Sequence, residues 1–334
     1  MRAAGRYRAP TRRGDLDVAA RTFLHHPRAA TEPHGTGGRT SMGPDATLTR
    51  THHTHSPGAP TLTRLSSRVW TTRWTASPGA SLLVGHGTAL TLVDHGLTAE
   101  AAETLLAELA ETAPSLRLAR VVWLRWCHGL IERVPQRAEL LYAAKVAEAG
   151  APPAGTARAA GLACRARTHH TPLGLNGVSL HAIAPEQSLV WDAEDRILLA
   201  GDLLAPLAPE LSALTPAQAT AALEWALERG ADQAVGSHGV LLRTAEHVER
   251  GLRARLSYLR VLEGICLHAR RVGAPALIAL RQALANGRLG AWPVPPQRHV
   301  LNIHAGLAAL EGRPVDLREV SADTRQLAAQ HRTR

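Results

Sequence analysis

At 334 residues and 45% hydrophobic, the chain is long enough to bury a substantial core in one large domain or two small ones. It has no run of eighteen apolar residues and its basic start lacks the apolar stretch of a secretory signal, so a membrane partner is not expected and a cytoplasmic protein is. The formal charge of +10 does not point to nucleic acid: residues 1–75 hold twelve arginines against Asp15, Asp17, Glu32 and Asp45, a balance of +8, leaving +2 for everything after.

Residues 1–65 form a basic tail, rich in Arg, Thr, Pro, Gly and His over its first sixty residues, without a persistent apolar period, and are expected to be disordered. The cluster Thr51-His52-His53-Thr54-His55 inside it is accounted for by that composition and carries no function here. Cys127, Cys164 and Cys266 are odd in number and far apart, so no disulfide framework is implied.

From residue 66 the pattern changes. Ser81–Val84 and Leu90–Val93 are short β-type runs with a glycine turn between them, the signature of a hairpin. Thr98 then caps a helix whose Ala102, Leu105, Leu106 and Leu109 share one face, and Pro114 ends it. The run Val121-Val122-Trp123-Leu124 is a buried strand that delivers Arg125, Cys127 and His128 to a loop. Residues 131–150 are ambiguous and partly helical. Further strands are expected at 177–183, 188–191, 196–200 and 233–235, with a helix from Thr215-Pro216 to about Arg229 between the last two. Beyond residue 243 three helices are expected, at 244–263, 274–285 and 297–311. Strand, helix, strand in this alternation indicates an α/β layered fold.

Four strand ends therefore carry polar side chains: Asp94, the Arg125/Cys127/His128 group, Asp202 and His238. Singly each has an ordinary structural explanation, a turn, a cap or a hydrogen-bonded imidazole. Their order, however, resembles that of the metallo-β-lactamase superfamily. Members of that superfamily carry, in sequence, a strand ending in Asp-x-Gly, an HxHxDH loop, a further His, a Gly-Asp after a strand and a late Gly-x-His. Here Asp94-His95-Gly96, Gly201-Asp202 and Gly236-Ser237-His238 match the first, fourth and last, and Pro185–Ser188 resembles the segment after the third. The resemblance covers residues 66–243 and implies an αββα sandwich of the metallo-β-lactamase type, followed by a helical extension over 244–334.

The same resemblance shows where the chain departs. Trp123 and Arg125 stand at the first two His positions of the central loop, Cys127 at its Asp and only His128 is kept. Ile183 takes the third-motif His, with His181 the alternative if the register slips. Trp and Ile have no lone pair to give a metal, and Arg adds like charge, so the first zinc position is not expected to form. The second would map to Cys127, His128, Asp202 and His238, an acceptable tetrahedral set for one zinc, although four protein ligands leave no open position for water. Alternatively the chain binds no metal, Arg125 pairs with Asp202, and Asp94 serves a structural role.

Three functions stay open. The chain is a zinc-hydrolase derivative with impaired or lost hydrolysis, a mononuclear zinc hydrolase, or a non-enzymatic binding protein using its C-terminal helices. No GxGxxG, GxxxxGK[ST] or GxSxG supports a nucleotide or serine-hydrolase reading. The substrate or ligand is not legible.

Overall fold

The structure, a computed structural model, describes residues 61–73, 79–95, 99–124, 138–143, 163–167, 171–172, 177–184, 187–290 and 292–332. The expected tail, the loop bearing Arg125, Cys127 and His128, and the Pro185-Glu186 pair lie at least partly outside these residues.

Two sheets carry the architecture. The first holds seven strands in sequence order: β1 (Thr61–Arg64), β2 (Val69–Arg73), β3 (Ala80–His86), β4 (Ala89–His95), β5 (Arg117–Trp123), β6 (Glu139–Ala143) and β7 (Ala163–Arg167). β1 to β4 are antiparallel neighbours; β4 to β7 run parallel. The β3–β4 hairpin closes on Gly87-Thr88, with Gly87 at φ +59, a conformation that glycine adopts without a Cβ penalty. A parallel step needs a crossover, and α1 (Ala99–Thr112) supplies it between β4 and β5.

The second sheet has the order β13-β12-β11-β10-β9-β8, built from β8 (Thr171–Pro172), β9 (Val178–Ala184), β10 (Gln187–Asp192), β11 (Ile197–Gly201), β12 (Gln233–Gly236) and β13 (Leu241–Leu242). β11 and β12 are its parallel pair, joined through α2 (Pro216–Arg229). Thr215 opens α2 with a capping box: its side chain accepts from Gln218 N while Gln218 accepts from Thr215 N. Four more helices come after it, α3 (Ala245–Val272), α4 (Ala276–Ala285), α5 (Pro296–Glu311) and α6 (Leu317–Arg332).

The period of two along each strand sorts the core into layers. Leu82, Val84, Val93 and Val122 of the first sheet meet Val178, Leu180, Val190, Ile197, Leu199 and Val235 of the second in one buried cluster between the sheets. The alternate residues Leu189, Leu198, Ala200 and Ala234 turn to the other side, where they join α2 and the C-terminal helices in a second cluster. Leu83, Leu90, Leu92 and Val121 are buried on the first sheet's far face, together with Leu105 and Leu109 of α1. The layer order is helix, sheet, sheet, helix, as expected.

Four local readings change. Glu139–Ala143 is a strand rather than part of a helix: it lies between β5 and β7 in a parallel ladder, where pairing overrides local propensity, and Arg120 pairs with Glu139 across to β5 at 3.0 Å. α3 runs through Gly264 to Val272 instead of ending at Glu263, because one interior glycine costs about 1 kcal/mol and a helix packed along its length absorbs that. Leu317–Arg332 is a fourth C-terminal helix, and β1 starts at Thr61, its Leu62 N–H bonded to the Glu108 carboxylate of α1.

Candidate functional site

Register places the site. β11 and β12 are parallel and pair Gly201 with Gly236, so the residues just past the two strands emerge at the same edge: Asp202 from one, Ser237 and His238 from the other. β10 runs antiparallel to β11 with Val190 opposite Leu199, and three more residues in the same register bring Gln187 opposite Asp202. Ala184, paired with Gln187, brings the end of β9 there too. The opposite end of β11 is closed by charge: Arg68 binds Asp192 at 2.6 Å, Asp195 at 2.8 Å and Glu194 at 3.1 Å.

The backbone at this edge is tightly set. Gly201 takes φ 49, ψ −128, and the chain then enters a 3-10 turn, Asp202–Leu204. Gly236 packs so closely on that turn that a Cβ would stand 2.3 Å from the Leu204 carbonyl oxygen. Ser237 N donates to Gly201 O at 3.0 Å, tying the two strand ends. His238 sits at φ 55, a left-handed conformation for a non-glycine residue, next to Gly239 at φ 72. Non-glycine residues held in this region cluster at functional sites.

Asp202 is fully buried, and its Oδ2 accepts a hydrogen bond from Gln187 Nε2 at 2.9 Å. Gln187 is buried as well. Its neighbourhood was visible in the sequence as the Pro185–Ser188 stretch, but its role was not; counting the register back from the 193–196 turn would have found it. His238 is half-buried, and its Nε2 faces Glu210 Oε2 at 3.9 Å, too long for a hydrogen bond. The same Glu210 oxygen pairs with Arg298 Nη2 of α5 at 3.1 Å. Glu210 lies in an irregular segment with no periodic signal, and no sequence argument would have brought it to His238.

The other expected residues divide. Asp94 stands near the end of β4 beside Trp123, its register partner at the end of β5, as a strand-end residue should. Arg125, Cys127 and His128 are outside the described residues, and so is any pairing of Arg125 with Asp202. His181 lies flat on the indole of Trp225 in α2, with centroids 4.3 Å apart and planes 4° from parallel, and Ile183 packs against the same helix-side core. Both therefore face the α2 layer. Among the described residues, no three His, Cys, Asp or Glu side chains are grouped to hold a metal.

Behind the site, residues 205–211 are held by side chains from α3 and α5. Arg255, fully buried, donates to Ala205 O at 2.7 Å and to Gly251 O at 2.9 Å; burial, aided by the charge of Arg298, pulls its pKa down to about 10. Asn302 accepts from Leu211 N at 3.1 Å and donates to Pro209 O at 2.8 Å and to the Tyr258 hydroxyl at 3.0 Å. That hydroxyl stands 3.1 Å from His299 Nδ1. With Asn302 donating into it, the Tyr258 proton goes to His299, whose Nδ1 must be unprotonated to accept it. Burial lowers the His299 pKa, a hydrogen bond at the Trp292 backbone opposing it, and raises that of Tyr258. The directions agree with a neutral network.

No family model matches the chain, and no curated protein is similar to it. Solved structures are. The inverting sec-alkylsulfatase Pisa1 from Pseudomonas sp., from the alkylsulfatases of the metallo-β-lactamase superfamily, aligns over 75% of this chain at 15% identity with a TM-score of 0.57; the chain spans half of the sulfatase's length. The metallo-β-lactamase FIM-1 from Pseudomonas aeruginosa, in its mono-zinc form, aligns over 58% of this chain and 94% of its own at 18% identity, with a TM-score of 0.45. A metallo-β-lactamase from Pontibacter korlensis aligns over 58% and 99% at 20% identity, with a TM-score of 0.44. Sheet order, layer order and the sulfatase superposition agree: the chain has the metallo-β-lactamase type of αββα fold, with helices added at its C-terminus.

Proposed function

We propose that this chain descends from zinc-dependent hydrolases of its fold and that its hydrolysis is impaired or lost, the Asp202–His238 edge being what remains of the site. The observation that carries this reading is the Gln187–Asp202 hydrogen bond. A carboxylate oxygen that accepts a buried amide N–H has one lone pair fewer to offer a metal, and here the donor sits where water does not reach, so the hydrogen bond competes with ligation. Trp123 and Arg125, which the resemblance sets at the first metal position, act in the same direction, whereas Ile183 packs toward α2 and does not bear on it.

One observation supports a second reading, a mononuclear zinc site. Asp202 and His238 share an edge, and His238 Nε2 has no hydrogen-bond partner among the described residues, the state a ligating imidazole requires. Cys127 and His128 would complete the set, and a zinc held there would supply charge and order rather than an open Lewis-acid position.

Zinc content of the purified full chain separates these readings. The first expects less than about 0.1 zinc per chain and a thermal transition indifferent to chelator. About one zinc, lost in Cys127→Ala and His238→Ala, establishes the second. Two zincs per chain, with hydrolysis of sulfate ester, thioester or lactam probes, would overturn the proposal.

A further inference from the structure

We propose that residues 205–211 are one wall of the site and that Arg298 and Asn302 of α5 are positioning residues that hold this wall, keeping Glu210 turned toward His238. The proposal rests on taking the Asp202–His238 edge as the site.

The wall is bound at both of its faces. Toward the site, Glu210 N and Ala205 N both donate to Asp202 O, at 3.0 and 3.2 Å, so the segment folds back over the 3-10 turn that carries Asp202. Toward the helices, Arg255, Asn302 and Arg298 reach the backbone of Ala205, of Pro209 and Leu211, and of Ala208. Leu207 takes φ 68, a strained conformation that such contacts must hold in place. Asn302 is fully buried with its carbonyl and amide both engaged, and buried polar networks of this kind fix one geometry because every alternative leaves a group unpaired. Arg298 completes the arrangement with one guanidinium on the Ala208 carbonyl at 3.3 Å and on the Glu210 carboxylate at 3.1 Å. Glu210 is thereby fixed by its own backbone and by its carboxylate, and the oxygen held by Arg298 is the one that faces His238. The C-terminal helices thus act as part of the site's frame rather than as a detachable cover.

The test uses isotope-labelled full chain in chelator at one pH, comparing Asn302→Ala and Arg298→Gln with a control in the same helix, Ile303→Val, which trims the same apolar cluster without removing a polar contact to the wall. Two readouts are compared: hydrogen exchange of the Glu210 amide against amides at the centre of α3, and the ring carbon and nitrogen shifts of His238. Asn302→Ala is expected to speed Glu210 exchange about tenfold more than exchange in α3. Both site variants are expected to move the His238 ring signals, and Ile303→Val to move neither readout selectively. If Asn302→Ala fails to fold, Arg298→Gln decides through the His238 signals. Uniform loss of protection, or His238 signals identical to those of the unaltered chain, would overturn the proposal. Neither metal nor substrate takes part, so a failure of the functional reading leaves these readouts unchanged and is recognised separately.

Discussion

Gln187 and Asp202 make the most direct test of how the site is held. Both side chains are buried, at 1% and 0% exposure, and the Nε2–Oδ2 distance is 2.9 Å. Water cannot replace the lost donor, and hydrogen bonds to a charged group contribute roughly 1.5–3 kcal/mol. Gln187→Leu should therefore destabilise the chain by about 2–3 kcal/mol, most of it from a carboxylate left under-compensated. Asp202→Leu should cost a similar amount by orphaning the amide. The double variant should cost less than the sum, because the second substitution removes the group stranded by the first; the coupling is expected at about 1.5–3 kcal/mol. Urea unfolding measures it: with a slope of about 2 kcal/mol per molar, each single variant moves the midpoint by about 1 M. A coupling below about 0.5 kcal/mol, or a neutral Gln187→Leu, would refute the reasoning and remove the main support for a committed Asp202 carboxylate.

Packing and charge set the response to other perturbations. Gly236→Ala places a Cβ 2.3 Å from Leu204 O and 2.6 Å from Leu204 Cβ, backbone and core atoms that cannot swing aside, and should cost about 3 kcal/mol or more in a denaturant titration. Gly306→Ala would put its Cβ 2.5 Å from Cys266 Sγ where α5 crosses α3; pairing it with Cys266→Ala should recover about 1–2 kcal/mol, whereas strict additivity of the two would show that the contact is not what limits the site. The His299 pKa is lowered on folding, so between its folded value and the unfolded 6.5 the unfolded chain binds more protons and stability rises with pH. Its contribution is complete above about 6.5 and is lost as pH falls below that toward the folded value; unfolding curves from pH 8 to 5 should show this slope, and His299→Phe should flatten it.

Much of the sandwich was legible because its strands alternate or end in glycine. The β3–β4 hairpin, α1, the β10–β11 hairpin and α2 all announce themselves through turn residues, caps or period. β6 did not, because Glu-Leu-Leu-Tyr-Ala suits a helix locally and becomes a strand through pairing with β5 and β7. In the site, Asp202 and His238 were found because a polar residue directly after an apolar run is a local signal. Gln187 was within reach by register. Glu210, Arg298 and Asn302 were not: the contacts of Asn302 with Pro209 and Leu211 span more than ninety residues, and nothing local distinguishes this asparagine from a solvated one.

Fold and chemistry are separable in this chain because different atoms maintain them. The inter-sheet core is made of Val, Leu, Ile and Ala, and the described residues among the expected metal ligands, Asp202 and His238, lie outside it. The residues at the strand ends can therefore differ at little cost to the sandwich. The converse holds for the helical side. There Arg255, Tyr258 and Asn302 are buried in or beside the second apolar cluster, and Arg298 is half-buried at its edge. Such a network carries a desolvation cost that apolar packing would not, and it fixes one geometry because each of its groups is paired in that geometry. A half-buried histidine in a left-handed conformation there faces a carboxylate that is itself held by an arginine.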